Sequence, residues 1–227
     1  MNYVIPTWEL PSLPVAGTED RFPVRRIYCI GRNYAEHARE MGMDERDPPF
    51  FFMKPADAIV QNGQTIPYPP QTNNYHYEGE LVVAIGKPAT DVTVEEANNR
   101  IFGYGVGLDM TRRDVQIAAR EVGRPWDMGK GFDNSAPCSA IFSVADIGHP
   151  SEGRIHLTVN GETKQDGDIK DMIWNVPESI SYLSGLVSLE PGDLIMTGTP
   201  AGVGPVVSGD KMVVSVDGVT ELTCSIA

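Results

Sequence analysis

Paired cysteines are missing from this chain. It has three cysteines, Cys29, Cys138 and Cys224, which are odd in number and far apart in sequence. They have neither the spacing of a metal-binding cluster nor that of a disulfide framework. We therefore expect a protein of a reducing compartment, most simply the cytoplasm.

Long apolar runs and basic residues are also scarce. No stretch is long enough to cross a membrane, and the first residues lack the basic and apolar pattern of a signal peptide. The 18 Lys and Arg against 31 Asp and Glu give a formal charge of −13. This charge argues against nucleic acid and anionic membrane surfaces as partners, and it fits a protein whose acidic residues partly serve a cation.

Nucleotide-binding motifs are absent as well. Gly103, Gly105 and Gly107 lack the GxGxxG spacing of a dinucleotide fold, and residues 198–204 lack the GK[ST] ending of a P-loop. Neither glycine-rich segment predicts a nucleotide ligand.

The chain does have enough apolar content for one large domain. Its 227 residues are 41% hydrophobic and include 23 Gly and 18 Pro, which is typical of a loop-rich globular protein. Four prolines before residue 24 predict an extended N-terminal arm over residues 1–24, followed by a single domain over 25–227. The elements do not alternate regularly, so we expect a β-rich α+β fold with short helices.

Local patterns predict several elements that matter below. Single strands are expected over residues 75–85 and 101–108, and helices over 34–41 and 111–122. Asn160-Gly161 and Asp217-Gly218 each separate two apolar runs, which favours hairpins with type I′ turns.

Two carboxylates stand two residues apart in Glu78-Gly79-Glu80. On one strand they would face the same way and repel each other, which favours a cation between them, such as Mg²⁺, Mn²⁺ or Ca²⁺. Asp109 is the natural third ligand, because it follows an apolar strand where a charge needs a partner. The alternatives are a solvated strand face for the glutamates and a helix-entry role for Asp109.

Two further groups of polar residues could carry chemistry. His37 and Glu40 lie three apart on the predicted helix, where they form either a general-base pair or a surface ion pair. Lys130 follows Trp126 among small residues, and could stabilise an oxyanion or extend from an apolar patch. Arg113 and Gln116, one helical turn apart, could reach the same site.

Together these segments resemble the fumarylacetoacetate hydrolase family, in its small single-domain branch of acylpyruvate hydrolases. The matching pieces run in order along the chain: Gly31-Arg32-Asn33-Tyr34 with His37 and Glu40, Phe52-Met53-Lys54-Pro55, Tyr77-Glu78-Gly79-Glu80-Leu81, Gly107-Leu108-Asp109-Met110-Thr111, Asp114-Val115-Gln116, Lys130-Gly131-Phe132-Asp133, and residues 197–204.

The resemblance implies a mixed β-roll, sandwich-like fold, a homodimer, and one Mg²⁺ or Mn²⁺ per chain. It implies a lid near residues 34–49. By position, the implied site residues are Glu78, Glu80 and Asp109 as metal ligands, His37 and Glu40 as the water-activating dyad, Lys130 as the active-site lysine, and Arg32, Arg113, Gln116 and Thr199 as contacts to the substrate or to the metal site.

The reaction that follows from this resemblance is hydrolytic cleavage of a carbon–carbon bond in a 2,4-diketo acid, giving pyruvate and a carboxylic acid. Fumarylpyruvate, an intermediate of aromatic catabolism, is the first substrate to test, and Arg32, Arg113 or Arg124 could pair its second carboxylate. One alternative is oxaloacetate decarboxylase or tautomerase activity at the same metal site. Another is a metal-stabilised binding module without catalysis.

Overall fold

A mixed eight-stranded β-sheet is the frame of the protein, seen in a computed structural model that describes residues 2–34 and 47–227. In chain order the strands of these residues are β1 (Ser12–Pro14), β2 (Arg21–Pro23), β3 (Arg26–Gly31), β4 (Phe50–Lys54), β5 (Ile59–Gln61), β6 (Thr65–Ile66), β7 (Tyr75–Tyr77), β8 (Gly79–Ile85), β9 (Ile101–Leu108), β10 (Thr111–Arg112), β11 (Ala136–Cys138), β12 (Phe142–Ser143), β13 (Arg154–Val159), β14 (Glu162–Asp168), β15 (Asp193–Met196), β16 (Gly204–Pro205), β17 (Lys211–Val216) and β18 (Thr220–Ile226).

Helices are few and short, as the sequence predicts. Those of the described residues are α1 (Val94–Ala97), α2 (Arg113–Glu121), α3 (Asp127–Lys130), α4 (Val144–Ile147) and α5 (Val176–Leu186), with 3₁₀ turns at Ala56–Ala58, Asn98–Arg100 and Ile169–Asp171. Within the described residues, no helix is long and apolar enough to cross a membrane.

The large sheet runs in the order β4-β3-β15-β8-β9-β11-β5, with β12 added beside β9. A five-stranded sheet in the order β14-β13-β17-β18-β6 contributes Leu157, Val214 and Leu222 to the core that contains Leu81 and Val83. A three-stranded sheet, β10-β7-β16, and the β1-β2 hairpin complete the fold. This β-rich α+β architecture confirms the predicted fold class.

Strand β8 is buried on both faces, which explains its nearly continuous apolar sequence. Leu81 and Val83 point into the larger core, toward the five-stranded sheet. Val82 and Ala84 alternate with them and point into a second core, which includes Leu13 of the N-terminal hairpin.

The predicted single strand over residues 75–85 is wrong, because the chain changes sheets at Glu78. Strand β7 ends at Tyr77 in the three-stranded sheet, and β8 begins at Gly79 in the large one. A Cβ atom at Gly79 would lie 2.9 Å from Val214 Cγ2 and 3.2 Å from Leu157 Cδ1, so a side chain here would force Val214 to shift where the two layers meet.

Helix α2 starts two residues later than predicted. Thr111 and Arg112 instead form β10, whose pairing with β7 keeps them extended. Apart from Tyr34, the predicted helix over residues 34–41 lies outside the described residues.

One of the two predicted hairpin turns differs. Asn160 and Gly161 both have positive φ, 53° and 81°, which confirms the type I′ turn. At Asp217-Gly218 the type I′ prediction is wrong: Val216 pairs with Thr220, so the loop has three residues. Val219 lies in this loop, and its side chain is buried in the core.

The N-terminal segment is anchored to the body through its hairpin. Leu13 is fully buried, Phe22 is buried with it, and Val15 forms a bridge with Ile141. The residues before Ser12 are largely exposed, with Leu10 at 66%. Part of the predicted arm therefore belongs to the second core.

This packing predicts that two leucine-to-alanine substitutions in the N-terminal segment have different effects on the free energy of unfolding. Leu13→Ala should lower the free energy of unfolding by about 2–5 kcal/mol, because it opens a cavity in the second core. The matched control, Leu10→Ala, should change it by less than about 0.5 kcal/mol. Urea denaturation of both variants measures the difference, and equal effects would contradict the anchoring role of the hairpin.

Candidate active site

Glu78, Glu80 and Asp109 meet where β8 and β9 meet β7 and β10. Strands β8 and β9 are antiparallel with Gly79 opposite Leu108, and the backbone N–H of Asp109 donates to the Glu78 carbonyl at 2.9 Å. One oxygen from each of the three carboxylates lies within 4.8 Å of the others, and all three residues are buried. The sequence-predicted triad is thus assembled, although its glutamates are not on one strand.

Two of the three carboxylates have cationic partners. Asp109 lies between Lys54, at 2.8 Å from Oδ1, and Lys130, at 2.6 Å from Oδ2. Glu78 accepts from Lys130 at 2.8 Å and also from Arg113. Burial raises the pKa of Glu78, but Lys130 and Arg113 outweigh that effect and hold its pKa well below the usual range.

Glu80 is different. Its Oε2 accepts from the backbone N–H of Gly198 at 2.7 Å, but no lysine or arginine of the described residues lies within ion-pair distance of it. Burial, with the charges of Asp109 and Glu78, raises the pKa of Glu80 well above its usual value.

The donor set fits a hard divalent cation. Three carboxylate oxygens converge, and the one carboxylate without a cationic partner is the one whose ionised form is disfavoured. A divalent cation would supply the missing positive charge and leave positions for other oxygen ligands. The residues therefore fit Mg²⁺ or Mn²⁺.

Lys130 ends the short helix α3 and is buried. Its Nζ donates to Glu78, Asp109 and Thr111 Oγ1, the last at 2.7 Å, so all three ammonium protons are engaged. Burial lowers the pKa of Lys130, but Asp109 and Glu78 outweigh this, and the net shift is upward. The raised pKa favours the cationic form of Lys130 in this arrangement.

Lys54 is a buried lysine of the site to which the sequence patterns assigned no role. It ends β4 fully buried, donates to the carbonyl oxygens of Met110 at 3.0 Å and of Lys130, and pairs with Asp109. The available signal was the motif Phe52-Met53-Lys54-Pro55, where a lysine lies beside apolar residues. Through these bonds Lys54 holds the backbone of Met110, which follows Asp109, and the backbone of Lys130.

His76 is a second residue of the site that the sequence patterns did not single out. Arg113 Nε donates to His76 Nδ1 at 3.4 Å, and His76 Nε2 bonds Asn74 Oδ1 at 2.8 Å. Burial and the charge of Arg113 lower the pKa of His76 to about 4, so the ring stays neutral. The ring therefore orients Arg113, which also donates to Gln116 Oε1 at 2.6 Å.

A small, partly open cavity of about 40 Å³ lies above the carboxylates. Its lining residues are Ile30, Gly31, Arg32, Phe52, Glu78, Glu80, Arg113, Gln116, Arg120, Trp126, Lys130 and Thr199. Thr199 is fixed there by a bond to the Gly79 carbonyl, at 2.9 Å, and by one from Gln165, at 2.8 Å.

Most of the predicted site residues meet in or beside this cavity. Arg32, Glu78, Glu80, Arg113, Gln116, Lys130 and Thr199 line it, and Asp109 lies behind Lys130. Arg124 is exposed and is not part of the lining. His37 and Glu40 lie outside the described residues. Arg120 lines the cavity but was not singled out in the sequence.

Comparisons with known proteins agree with this geometry. The family model described as "Fumarylacetoacetate (FAA) hydrolase C-terminal" matches residues 26–227. The chain belongs to the fumarylacetoacetate hydrolase family. Its match spans nearly the whole of the chain that follows the N-terminal hairpin.

Relatives within the fumarylacetoacetate hydrolase family carry two kinds of name. A fumarylpyruvate hydrolase from Ralstonia sp is 49% identical over 78% of this chain and 92% of its own length. An oxaloacetate tautomerase from Escherichia coli (strain K12) is 41% identical over 87% of this chain and 90% of its own. A crystal structure of fumarylpyruvate hydrolase from Pseudomonas aeruginosa, in complex with Mn²⁺ and pyruvate, is 52% identical with a TM-score of 0.97, covering 100% of this chain and 99% of that one.

The raised pKa of Glu80 predicts pH-dependent metal binding. Below that pKa a proton occupies the carboxylate and competes with the cation; as the pH rises through it, the proton leaves and the apparent affinity for Mn²⁺ increases. The increase in melting temperature on adding Mn²⁺ should therefore be larger at pH 7.5 than at pH 5.5. In Glu80→Gln, which cannot titrate, most of the increase should be lost at both pH values. An equal increase at both pH values in the unsubstituted protein would contradict this assignment.

Proposed function

We propose that this protein is a metal-dependent hydrolase that cleaves a carbon–carbon bond of an acylpyruvate, with fumarylpyruvate as the best candidate substrate. The observation that carries the proposal is the cluster of Glu78, Glu80 and Asp109 beside a cavity that Glu78, Glu80 and Lys130 line. The similarity to a fumarylpyruvate hydrolase that holds Mn²⁺ and pyruvate supports it.

Glu78, Glu80 and Asp109 would hold one Mg²⁺ or Mn²⁺ per chain. When bound, the cation supplies Lewis-acid stabilisation to the oxygens of a keto acid, including the negative charge that develops as the carbon–carbon bond breaks. The carboxylates themselves stay ionised in this arrangement, because each then has a positive partner.

Lys130 stabilises negative charge in this scheme and does not remove a proton, because its pKa is raised. Its three protons are engaged, so donation to a substrate oxyanion requires the exchange of one bond. The bond to Thr111 is the one to exchange, since it is made to a neutral acceptor while the other two are made to carboxylates.

His37 and Glu40 are proposed as the pair that activates water. The carboxylate would hold the imidazole in one tautomer and raise its basicity, and the imidazole would take a proton from the water that attacks the distal carbonyl. This role follows from the family resemblance and from the three-residue spacing of the pair.

Several further properties belong to the same proposal. We expect a single catalytic domain over residues 25–227, a homodimer, a cytoplasmic location and a role in aromatic catabolism. The family resemblance supports these expectations, and the match over residues 26–227 supports the first of them.

Oxaloacetate tautomerisation is the second candidate function. Relatives with that name are 43% identical in Arabidopsis thaliana and 41% identical in Escherichia coli. This reaction uses the same carboxylate cluster to bind a keto acid, but it moves a proton and breaks no carbon–carbon bond.

Removing the negative charge of one ligand should abolish metal-dependent turnover. Glu80→Gln replaces the carboxylate that has no cationic partner with a neutral amide, and should lower kcat by at least about 100-fold, in line with losses of major electrostatic groups. The matched control, Glu152→Gln, alters an exposed glutamate and should leave kcat unchanged. The assay is the loss of enol absorbance of fumarylpyruvate with Mg²⁺. Full activity of Glu80→Gln, or of the unsubstituted protein in excess chelator, would contradict the proposal.

The two candidate reactions should respond differently to loss of the proposed base. His37→Ala should lower the hydrolysis of acylpyruvates by about 100-fold or more, the usual contribution of a general base. Oxaloacetate decarboxylation at the same metal site, in which the chelated keto acid loses CO₂ and no water attacks, should fall less. Initial rates on both substrates give the comparison, and equal losses would count against His37 as the base that activates water.

A further inference from the structure

Two arginines flank the mouth of the cavity above the carboxylates. Glu78, Glu80 and Lys130 are buried at the floor, whereas Arg32 is partly exposed and Arg120 is exposed, so both guanidinium groups lie nearer to the entrance. A substrate that reaches the floor with one end would therefore pass these two cations with the other.

Arg120 is held toward the cavity by its position on helix α2. Arg113, Gln116 and Arg120 follow at intervals of three and four residues, so they share one face of the helix, and all three line the cavity. Arg113 is already paired with Glu78 and hydrogen-bonded to Gln116. On this face of the helix, Arg120 is therefore the cation that is available to a ligand.

Arg120 makes no ion pair with any carboxylate of the described residues, although acidic residues outnumber basic ones by 31 to 18 in the chain. A surface arginine in so acidic a protein could easily have a carboxylate partner. Its lack of one, at the entrance of a cavity, is the pattern of a cation reserved for an anionic ligand.

Arg32, the other arginine, packs against aromatic rings. Its guanidinium carbon lies 5.4 Å from the ring centre of Phe50 and 6.0 Å from that of Trp126, and the two rings pack edge to face at 5.2 Å. The backbone of Arg32 has φ of 59°, a left-handed conformation that non-glycine residues adopt rarely and often at functional sites. Burial and the nearby charge of Arg120 lower the pKa of Arg32, so the two guanidinium groups repel each other.

We propose that Arg32 and Arg120 form a subsite for the distal carboxylate of a keto acid whose other end is held at the Glu78, Glu80 and Asp109 cluster. A carboxylate between two guanidinium groups removes their mutual repulsion and accepts charge-assisted hydrogen bonds from both. The proposal rests on the proposed function for the keto-acid end. It adds that the protein selects acyl groups that end in a carboxylate, with Arg120 as the residue that determines this selection.

The test uses ligands that cannot be cleaved. Both 2-oxoheptanedioate and 2-oxoheptanoate carry the 2-keto acid end without a second ketone, and only the first has a distal carboxylate. Calorimetric titration of the Mn²⁺-loaded protein should give roughly tenfold tighter binding of the dicarboxylate, the size expected for one charge-assisted interaction. Arg120→Gln should abolish most of this preference and leave the binding of 2-oxoheptanoate unchanged.

Two further variants make the result specific. Arg120→Lys keeps the charge and should retain part of the preference, while Lys87→Gln removes an exposed positive charge outside the cavity lining and should retain all of it. A preference that survives in Arg120→Gln, or that is missing from the unsubstituted protein, overturns the subsite. Failure of the unsubstituted protein to cleave fumarylpyruvate contradicts the proposed function instead, because these binding measurements require no turnover.

Discussion

Like-charge repulsion in the protein interior is the constraint around which this structure is organised. One oxygen from each of Glu78, Glu80 and Asp109 lies within 4.8 Å of the others in a buried setting. At that separation and an effective dielectric constant of about 20, each pair of unit charges repels by about 3 kcal/mol. Ionising all three carboxylates without compensation would therefore consume much of the stability of a typical domain.

Cationic side chains of the protein compensate two of the three negative charges. Lys54 and Lys130 lie on either side of Asp109, and Lys130 and Arg113 lie on either side of Glu78. Among the described residues, Glu80 has the backbone N–H of Gly198 and no cationic side chain within ion-pair distance. The site thus holds its shape through fixed cations and leaves one unit of negative charge for a cation that the protein must acquire from solution.

The change of sheet between β7 and β8 brings the carboxylates of the cluster together. Glu78 lies at the crossing from β7 to β8, and Glu80 lies on β8, so the two side chains reach Asp109 from the crossing and from the large sheet. Gly79 allows the crossing, and Gln165 and Thr199 bind its N–H and C=O, so the turn between the ligands is itself held in place.

Sequence patterns predicted the structural features that depend on residues close together in the sequence. The apolar run of β9 and the turn at Asn160-Gly161 were foreseen, because strand burial and turn chemistry act locally. The break at Glu78 was not foreseen, since it depends on Val214 and Leu157, which lie far along the chain and crowd Gly79.

The site residues also divide into those that local sequence indicates and those that depend on contacts with distant residues. Residue pattern alone left Glu78 and Glu80 open to a solvated strand face, and the family resemblance decided between the alternatives. Lys54 and His76 were missed because their roles come from contacts across sheets, with Asp109 and with Arg113. Arg120 could have been found from its helical spacing to Arg113 and Gln116, which places it on the same face.

The central claim is that the carboxylate cluster binds one divalent cation and that acylpyruvate cleavage depends on it. Its most direct test is a titration of metal-free protein with Mn²⁺, in which electron paramagnetic resonance counts the bound ions and the same samples are assayed for pyruvate released from fumarylpyruvate. The account predicts that activity rises in proportion to bound Mn²⁺ and reaches its maximum at one ion per chain. Full activity before any Mn²⁺ is bound, or saturation of the cluster without pyruvate release, would contradict it.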